Sequence, residues 1–206
     1  MRAAVVTLAL LAAAATASAQ VTLLAPKGTG HASTAKSGAA KGGVAIDTAA
    51  APAAAAATAA PAELPAATQA LLDEINRRRA TGATCGGVHK APAPPMRWST
   101  LLEHAADAHV RDMAPRNGGS ISHTGSNGST VGTRADAAGY RWSTVGENVA
   151  AGRATALATV AQWMASPGHC SNIMNPAFTE VAVAGLHLPG TIYNHYWVMV
   201  LARPMS

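Results

Sequence analysis

The chain has 206 residues, of which 49% are hydrophobic and 12% are charged, and its net charge is +5. All four Trp, all three Tyr and the one Phe lie after residue 95, so the core must form in the C-terminal part of the chain. That part carries ten Arg and one Lys against eight acidic residues, a net charge of +3. Its densest basic run, Arg77-Arg78-Arg79, has no neighbouring aromatic side chains, which favours a charged helix surface and argues against nucleic-acid binding.

The N-terminus has the three parts of a secretory signal peptide. Arg2 supplies a positive charge, residues 3–15 are small and apolar, and Ala17-Ser18-Ala19 is a small-residue cleavage motif. The apolar stretch is shorter than the roughly 20 residues with which a helix spans a bilayer, so a retained anchor is the weaker alternative. We predict cleavage after Ala19 and a mature protein that is secreted or periplasmic, with no transmembrane anchor.

A linker is predicted between the signal peptide and the core. Residues 20–65 are rich in Ala, Pro and Thr and contain few large apolar residues, so they cannot bury enough surface to offset the entropy of ordering. The expected organisation is a signal peptide at 1–19, a disordered Ala/Pro-rich linker at 20–65 and one globular domain at 66–206.

Apolar residues spaced three and four apart predict three long helices in this domain. The first covers Thr68–Ala80 with Thr68 as its N-cap, the second follows Ser99 as its N-cap, and the third covers about Thr155–Ala165. A shorter helix is expected at Thr133–Ala138, where Gly139 ends it.

Two strands and several loops complete the predicted elements. Alternating apolar residues predict strands at Thr179–Leu188 and His195–Ala202, joined by a Pro-Gly turn. Glycine-bearing stretches predict loops at 82–95, at 117–130 and around Gly146-Glu147-Asn148. Helices before and between the strands indicate a layered α+β domain.

The domain has two cysteines, Cys85 and Cys170. An even number of cysteines in an exported chain favours a disulfide, because the compartment is oxidising. Two buried thiols or a metal-bound thiolate are the alternatives, although no Cys-x-x-Cys motif or Cys/His cluster of zinc-finger spacing is present.

Three short segments carry candidate chemistry, because each puts a titratable side chain in or beside a glycine-bearing turn. They are Ser122–Gly125 with His123, Gly146–Asn148 with Glu147, and Ser166–Ile173 with His169. The last segment resembles a helix start with Ser166 as its cap. The positive end of that helix would lower the pKa of His169 and favour the neutral imidazole that metals bind.

In order and spacing these segments resemble the CAP superfamily of secreted proteins, and above all its bacterial SCP-domain branch. The likeness extends from about Leu71 to Pro204. The resemblance implies an α+β fold, a three-layer α-β-α sandwich with a central antiparallel sheet and an open cleft. The matching residues are Met96-Arg97-Trp98, Ser122-His123-Thr124-Gly125, Gly139-Tyr140, Gly146-Glu147-Asn148-Val149-Ala150, Trp163-Met164-x-Ser166-Pro167-Gly168-His169, Asn172-Ile173-Met174 and Phe178-Thr179-Glu180-Val181-Ala182-Val183.

Eukaryotic members of this superfamily hold two His and two Glu in the cleft, and a divalent ion such as zinc is associated with the His pair. By motif, His123 corresponds to the first His and Glu147 to the first Glu. The second Glu and the second His are missing, since Met164–Ser166 and Ala177–Glu180 stand at their positions. His169 comes instead from the Ser-Pro-Gly-His motif of the bacterial branch.

The resemblance therefore implies a candidate metal site at His123 and His169. Glu147, Asn148, Ser166 and Glu180 are expected at the cleft, although Glu180 is as well explained by hydrogen bonds from its strand to loop backbone. Two imidazoles would bind Zn²⁺ or another divalent cation weakly, with water completing the coordination. The simpler alternative is a polar cluster that ties three loops together without any cofactor.

Four other histidines are given no role in this site. His104 and His109 lie on the second predicted helix and are expected at its surface or in core packing. His187 and His195 flank the hairpin turn and are expected to be exposed.

Three classes of function remain. The best supported is a non-enzymatic binding module for a lipid, glycan, peptide or protein. The second is a metal-dependent hydrolase of peptides or esters that uses His123 and His169, with Glu147 as general base. The third is a structural cell-envelope protein whose linker spaces the domain from a surface. The sequence contains no His-Glu-x-x-His and no Gly-x-Ser-x-Gly motif, which argues against hydrolysis.

Overall fold

The computed structural model describes residues 23–24, 63–116 and 119–206. The predicted signal peptide and most of the predicted linker lie outside the described residues. The helices are α1 (Ala66–Thr81), α2 (Thr100–Met113), α3 (Val131–Ala137), α4 (Ala156–Ala165) and α5 (Pro167–Ile173). The strands are β1 (Leu23–Leu24), β2 (Ala83–Cys85), β3 (Val88–Lys90), β4 (Arg97–Trp98), β5 (Trp142–Ala151), β6 (Glu180–His187) and β7 (His195–Pro204).

A five-stranded sheet with the order β1-β5-β7-β6-β4 forms the middle layer. β1, β5, β7 and β6 are successive antiparallel neighbours, whereas the edge strand β4 runs parallel to β6. The short strand β1 comes from the segment predicted as linker. β2 and β3 form a separate hairpin within a stretch predicted to be loop.

Helices cover both faces of the sheet. On one face α2 packs on β6 and β7 and α3 packs on β5, with Val110 and Val198 in the same hydrophobic cluster. On the other face α4 and α5 pack on β5 and α1 packs on α4, with Trp163 and Met199 in one cluster. Val198 and Met199 are neighbours in sequence, and successive side chains of a strand point to opposite faces. β7 is buried on both sides for this reason, and the predicted three-layer α-β-α sandwich is confirmed.

The helix ends test the predicted caps. The Ser99 side chain accepts a hydrogen bond from the Leu102 amide, so the predicted N-cap of α2 is confirmed. α1 begins earlier than predicted, after Pro65, which suits the start of a helix because its φ is fixed. Thr68 therefore lies inside the first turn. α3 also begins earlier, with a capping box between Thr130 and Thr133.

The largest difference concerns Gly146-Glu147-Asn148, which was predicted as a loop and lies inside strand β5. The glycine is required by packing, because a Cβ at Gly146 would lie 2.8 Å from the ring of Phe178. Glu147 and Asn148 are completely buried. A glycine followed by two buried polar residues breaks the apolar alternation by which strands are recognised in a sequence.

Two long-range connections hold the helices of the second face. The predicted disulfide between Cys85 and Cys170 is confirmed, and it joins the β2–β3 hairpin to α5. The predicted surface position of the basic triplet is wrong for Arg79, which is fully buried because its guanidinium donates to carbonyl oxygens. The acceptors include Pro94 at 2.7 Å and Asn175 at 3.0 Å. Burial lowers the pKa of Arg79 to about 10. No helix in the described ranges is both long and apolar enough to cross a membrane.

Candidate functional site

Glu147 is the centre of a buried polar cluster. Its side chain lies on strand β5 and has no exposed surface. Oε1 accepts a hydrogen bond from His123 Nδ1 at 2.8 Å, and Oε2 accepts one from Arg134 Nη2 at 2.6 Å. A carboxylate removed from water is stable only when it is paired and hydrogen-bonded, and these two partners supply both.

Arg134 on α3 is the member that sequence reasoning missed. Its side chain is only 7% exposed. Besides Glu147, the guanidinium donates to the carbonyl oxygens of Ser129 at 2.9 Å and His123 at 3.2 Å. One side chain thus joins a helix, a strand and the loop that carries His123. Its spacing along the helix could have indicated its burial, because Arg134 lies on the same inner face as Val131 and Ala135, which are both buried.

His109 on α2 forms a hydrogen bond to the loop that carries His123. It is fully buried, and its Nε2 lies 2.8 Å from the Ser122 carbonyl oxygen and 3.8 Å from Glu147 Oε1. A carbonyl only accepts, so Nε2 carries the proton and donates. Burial lowers the pKa of His109, and the charge of Glu147 opposes this in part. The neutral ring therefore holds the residue that precedes His123.

His123 is oriented by its bond to Glu147. A carboxylate accepts and does not donate, so the hydrogen bond assigns the proton to Nδ1 and leaves the lone pair on Nε2. The side chain is 21% exposed. In metal sites, a ligating histidine almost always donates its other N–H to a carboxylate or carbonyl, which fixes the ring. The His123–Glu147 pair has this arrangement.

His169 is half-buried in the first turn of α5. Burial, and secondly the positive charge that His123 carries when it is protonated, lower the pKa of His169 to about 4. The direction is the one predicted, with burial as the main cause.

Two buried asparagines connect α5 to β5 by hydrogen bonds. Asn148 donates from Nδ2 to the His169 carbonyl oxygen at 3.2 Å. Asn172 donates from its own Nδ2 to Asn148 Oδ1 at 2.9 Å and to the Glu147 carbonyl oxygen at 3.3 Å. Asn148 was predicted at the cleft, whereas Asn172 was known only as part of the family motif. Together they place the backbone of His169 against that of Glu147.

The two remaining predicted cleft residues form no side-chain hydrogen bond or ion pair with Glu147, Arg134 or the two histidines in the described part of the chain. Ser166 precedes α5 at the N-cap position, but its side chain makes no capping bond to any residue that the structure describes. Glu180 forms an ion pair with Arg97 of the edge strand at 3.0 Å. It also lies near Tyr140, whose pKa is raised first by burial and then by Glu180. Glu180 thus connects strand β6 to the edge strand β4 through side chains, which differs from the hydrogen bonds to loop backbone that were considered as its alternative role.

Metal-binding capacity is limited by the number of side chains. Within the described ranges, no group of three or more His, Cys, Asp or Glu side chains is arranged to hold a metal ion. Glu147 already has a partner on each oxygen. An ion at this cluster would depend on His123 and His169 with water, so the predicted two-histidine site stays a prediction.

Two open cavities are found in the described part of the chain, and one of them adjoins the cluster. The larger, about 650 Å³, lies between α2 and α3 and is lined by Ala105, Asp112 and Arg134 among others. The smaller, about 480 Å³, is lined by residues that include Tyr140 and Trp142. His123 and His169 line neither cavity. Arg134 is the one residue that belongs both to the Glu147 cluster and to the larger cavity.

Comparisons with known proteins agree with the fold. The family model named CAP, the cysteine-rich secretory protein family, matches residues 72–201. The uncharacterized protein YkwD of Bacillus subtilis (strain 168) is 32% identical over 107 residues, which are 50% of this chain and 39% of that protein. The chain therefore matches less than half of this curated relative.

Solved structures give the same result. An extracellular SCP-domain protein from Bacillus anthracis str. Ames has a TM-score of 0.52 and 25% identity, over 66% of this chain and 40% of that one. An outer surface protein from Borrelia burgdorferi has a TM-score of 0.52 and 18% identity, over 66% and 92% of the two chains. At that identity, the second likeness shows the fold alone. The chain belongs to the CAP (cysteine-rich secretory protein) family and carries a bacterial SCP-type domain.

Proposed function

We propose that this protein is an exported, non-enzymatic binding domain whose His123–His169 pair belongs to the binding site. Export is supported by the signal-like N-terminus, and by the similar SCP-domain protein that is described as extracellular. The Cys85–Cys170 disulfide is also typical of an oxidising compartment.

The observation that carries the non-enzymatic part is the bonding of Glu147. A general base must reach the proton that it removes, directly or through one water. Glu147 is fully buried, and its two carboxylate oxygens bind His123 and Arg134. Its role is therefore to orient His123. A catalytic zinc usually has three protein ligands as well, and this cluster provides two imidazoles.

The same geometry supports weak metal binding as part of that function. His123 presents Nε2 because Glu147 holds its Nδ1–H. His169 is neutral at physiological pH because its pKa is about 4. A tetrahedral ion held by two imidazoles keeps two positions for water or for an oxygen of a bound partner. Such a site selects partners that offer carboxylate or similar donors.

Zinc titration of the untagged mature chain tests this proposal. The parent is compared with H123Q and H169Q, and with H104Q as a matched control on the exposed side of α2. Each site variant should take up about one zinc equivalent less than the parent and the control. A panel of peptides and esters should give no turnover with or without zinc.

Two outcomes would contradict the proposal in different ways. Metal-dependent turnover that H123Q abolishes would establish a hydrolase and refute the non-enzymatic part. Equal zinc uptake by the parent, H123Q and H169Q would leave the cluster as a hydrogen-bonded support for three loops.

A further inference from the structure

A second pair of histidines lies at the open end of the β6–β7 hairpin. His187 ends β6, His195 begins β7, and the two are register partners. Their rings are stacked, with centroids 4.3 Å apart and planes inclined by 10°. Neither the sequence motifs nor the proposed function gives this pair a role.

The backbone explains why the rings meet. The Leu188 amide donates to the Asn194 carbonyl oxygen at 2.7 Å, so positions 188 and 194 form the hydrogen-bonded pair of the ladder. The carbonyl oxygen of His195 points the other way and accepts from the Gly152 amide at 2.8 Å. His187 and His195 are thus a non-hydrogen-bonded pair, in which Cα atoms are about 4.5 Å apart and side chains are closest. Two strands hold the imidazoles side by side.

Both rings have nitrogen atoms to spare. Within the described ranges neither ring makes a hydrogen bond or an ion pair, and each ring stacks on the other. His187 is exposed and His195 is half-buried. A neutral imidazole keeps one nitrogen lone pair, so the end of the hairpin presents two adjacent lone pairs that a metal ion could bind from solvent.

We infer that His187 and His195 form a surface site for a divalent transition-metal ion such as Cu²⁺, Ni²⁺ or Zn²⁺. Ions of this type are bound by imidazole at about 2.0–2.1 Å, so a tetrahedral ion needs two nitrogens roughly 3.3 Å apart. In the stacked pair the ring planes are nearly parallel, so both rings have to turn about their side-chain torsions until their in-plane lone pairs converge on one ion. Among these ions Cu²⁺ should bind most tightly.

This site is separate from the Glu147 cluster. Glu147 pairs with Val200 on β7, and Val200 is five positions beyond His195, which is about 17 Å along a strand. Residues at odd and even positions of β7 point to opposite faces, so His195 and Val200 are on different sides of the sheet. Binding at the two places can therefore be measured independently.

Trp197 provides a local reporter. It is two residues beyond His195 on the same face, about 7 Å along the strand. Its indole packs over Gly185, and Nε1 donates to the Arg153 carbonyl oxygen at 2.7 Å. A fixed indole so near the hairpin end should lose fluorescence when the paramagnetic Cu²⁺ ion binds there.

The test is a Cu²⁺ titration of the untagged mature chain at pH 7.5, followed by tryptophan fluorescence and by calorimetry. H187Q and H195Q should each weaken binding at this site at least tenfold, about the loss caused by removing an outer-shell partner at other metal sites. H89Q, on the exposed hairpin strand β3, is the matched control and should bind like the parent. W197F should bind equally well with a smaller fluorescence change.

The H123Q/H169Q double variant separates the two sites. It should keep the Cu²⁺ response that H187Q loses. The inference is overturned when H187Q and H195Q bind Cu²⁺ like the parent, or when the response disappears only in H123Q/H169Q. The second result would assign the metal to the Glu147 cluster and leave the proposed function standing.

Discussion

Arg134 and Glu147 form a buried ion pair, with Nη2 and Oε2 2.6 Å apart and with 7% and 0% of the two side chains exposed. The pair connects α3 to the middle of β5, and the loop of His123 is bound to both partners. The candidate site is therefore built on an interaction whose removal affects the fold as well as the binding of a ligand.

Replacement of Arg134 by Met should destabilise the protein strongly. The variant leaves the Glu147 carboxylate buried without its cation, which typically costs about 3–5 kcal/mol of the free energy of unfolding. Urea unfolding measures this loss. The matched control is R111M, because the Arg111–Asp107 pair on α2 is exposed at 65% and 43% and should contribute less than about 1 kcal/mol.

The double variant R134M/E147Q sharpens this prediction. Since it removes the orphaned charge, it should be more stable than R134M alone. Together with the single variant E147Q it completes the double-mutant cycle that gives the coupling energy of the pair. A loss for R134M as small as that for R111M would mean that Glu147 is rehydrated and that the pair does not organise the site.

Acid should weaken the fold through His169 and His109, both of which have lowered pKa values in the folded state. The pKa of His169 is about 4 when folded and about 6.5 when unfolded, so the unfolded chain binds the proton first as the pH falls. The contribution of His169 is complete above pH 6.5 and is lost progressively down to about pH 4. Each such group adds up to about 1.4 kcal/mol of lost stability per pH unit.

Urea unfolding in metal-free buffer at pH 7.0, 5.5 and 4.5 measures this dependence. H169Q should show a shallower decline than the parent between pH 6.5 and 4.5, whereas H104Q, which replaces an exposed histidine, should follow the parent. Parallel curves for the parent and H169Q would show that the imidazole of His169 is protonated as easily in the folded chain as in the unfolded chain.

Removal of the disulfide should lower stability and loosen the segment that carries His169. Cys85 and Cys170 are 85 residues apart, and closing a loop of that length is worth about 4–5 kcal/mol in the chain-entropy model. We expect C85A/C170A to lose about 2–5 kcal/mol in urea unfolding. Amide exchange should accelerate mainly in α5 and the β2–β3 hairpin. A loss below about 1 kcal/mol would indicate that packing alone holds α5.

How much of the site a sequence predicts depends on the range of each interaction. His123, Glu147 and His169 were identified because they stand in short motifs with glycine neighbours. Arg134 and His109 were not, because each is a single polar residue on an amphipathic helix, and its partners are distant in sequence. The buried position of such a residue is a property of the tertiary packing, which local periodicity does not contain.

The fold shows the same limit. The start of α2 and both ends of α4 were predicted almost to the residue, since the Ser99 cap and the apolar spacing are local signals. Gly146-Glu147-Asn148 was wrongly predicted as a loop, because a glycine followed by two polar residues is a composition typical of turns. What makes this segment a strand is non-local, namely the ring of Phe178 over Gly146 and the partners of Glu147. The error lies at the candidate site, where buried polar residues replace the usual apolar pattern.

The basic triplet on α1 gives a prediction that separates a structural arginine from surface ones. Arg79 is fully buried and donates to the carbonyl oxygens of Pro94, Asn175 and Phe178, the last at 3.2 Å. R79M should therefore cost several kcal/mol, because buried carbonyl groups without donors each cost about 1–3 kcal/mol. R77M is the matched control, since Arg77 is 59% exposed and pairs with the neighbouring Glu74 on the same helix. R79K should recover part of the loss, because an ammonium group supplies fewer donors in a less rigid arrangement. Equal midpoints for R79M and R77M in urea would refute the structural role of Arg79.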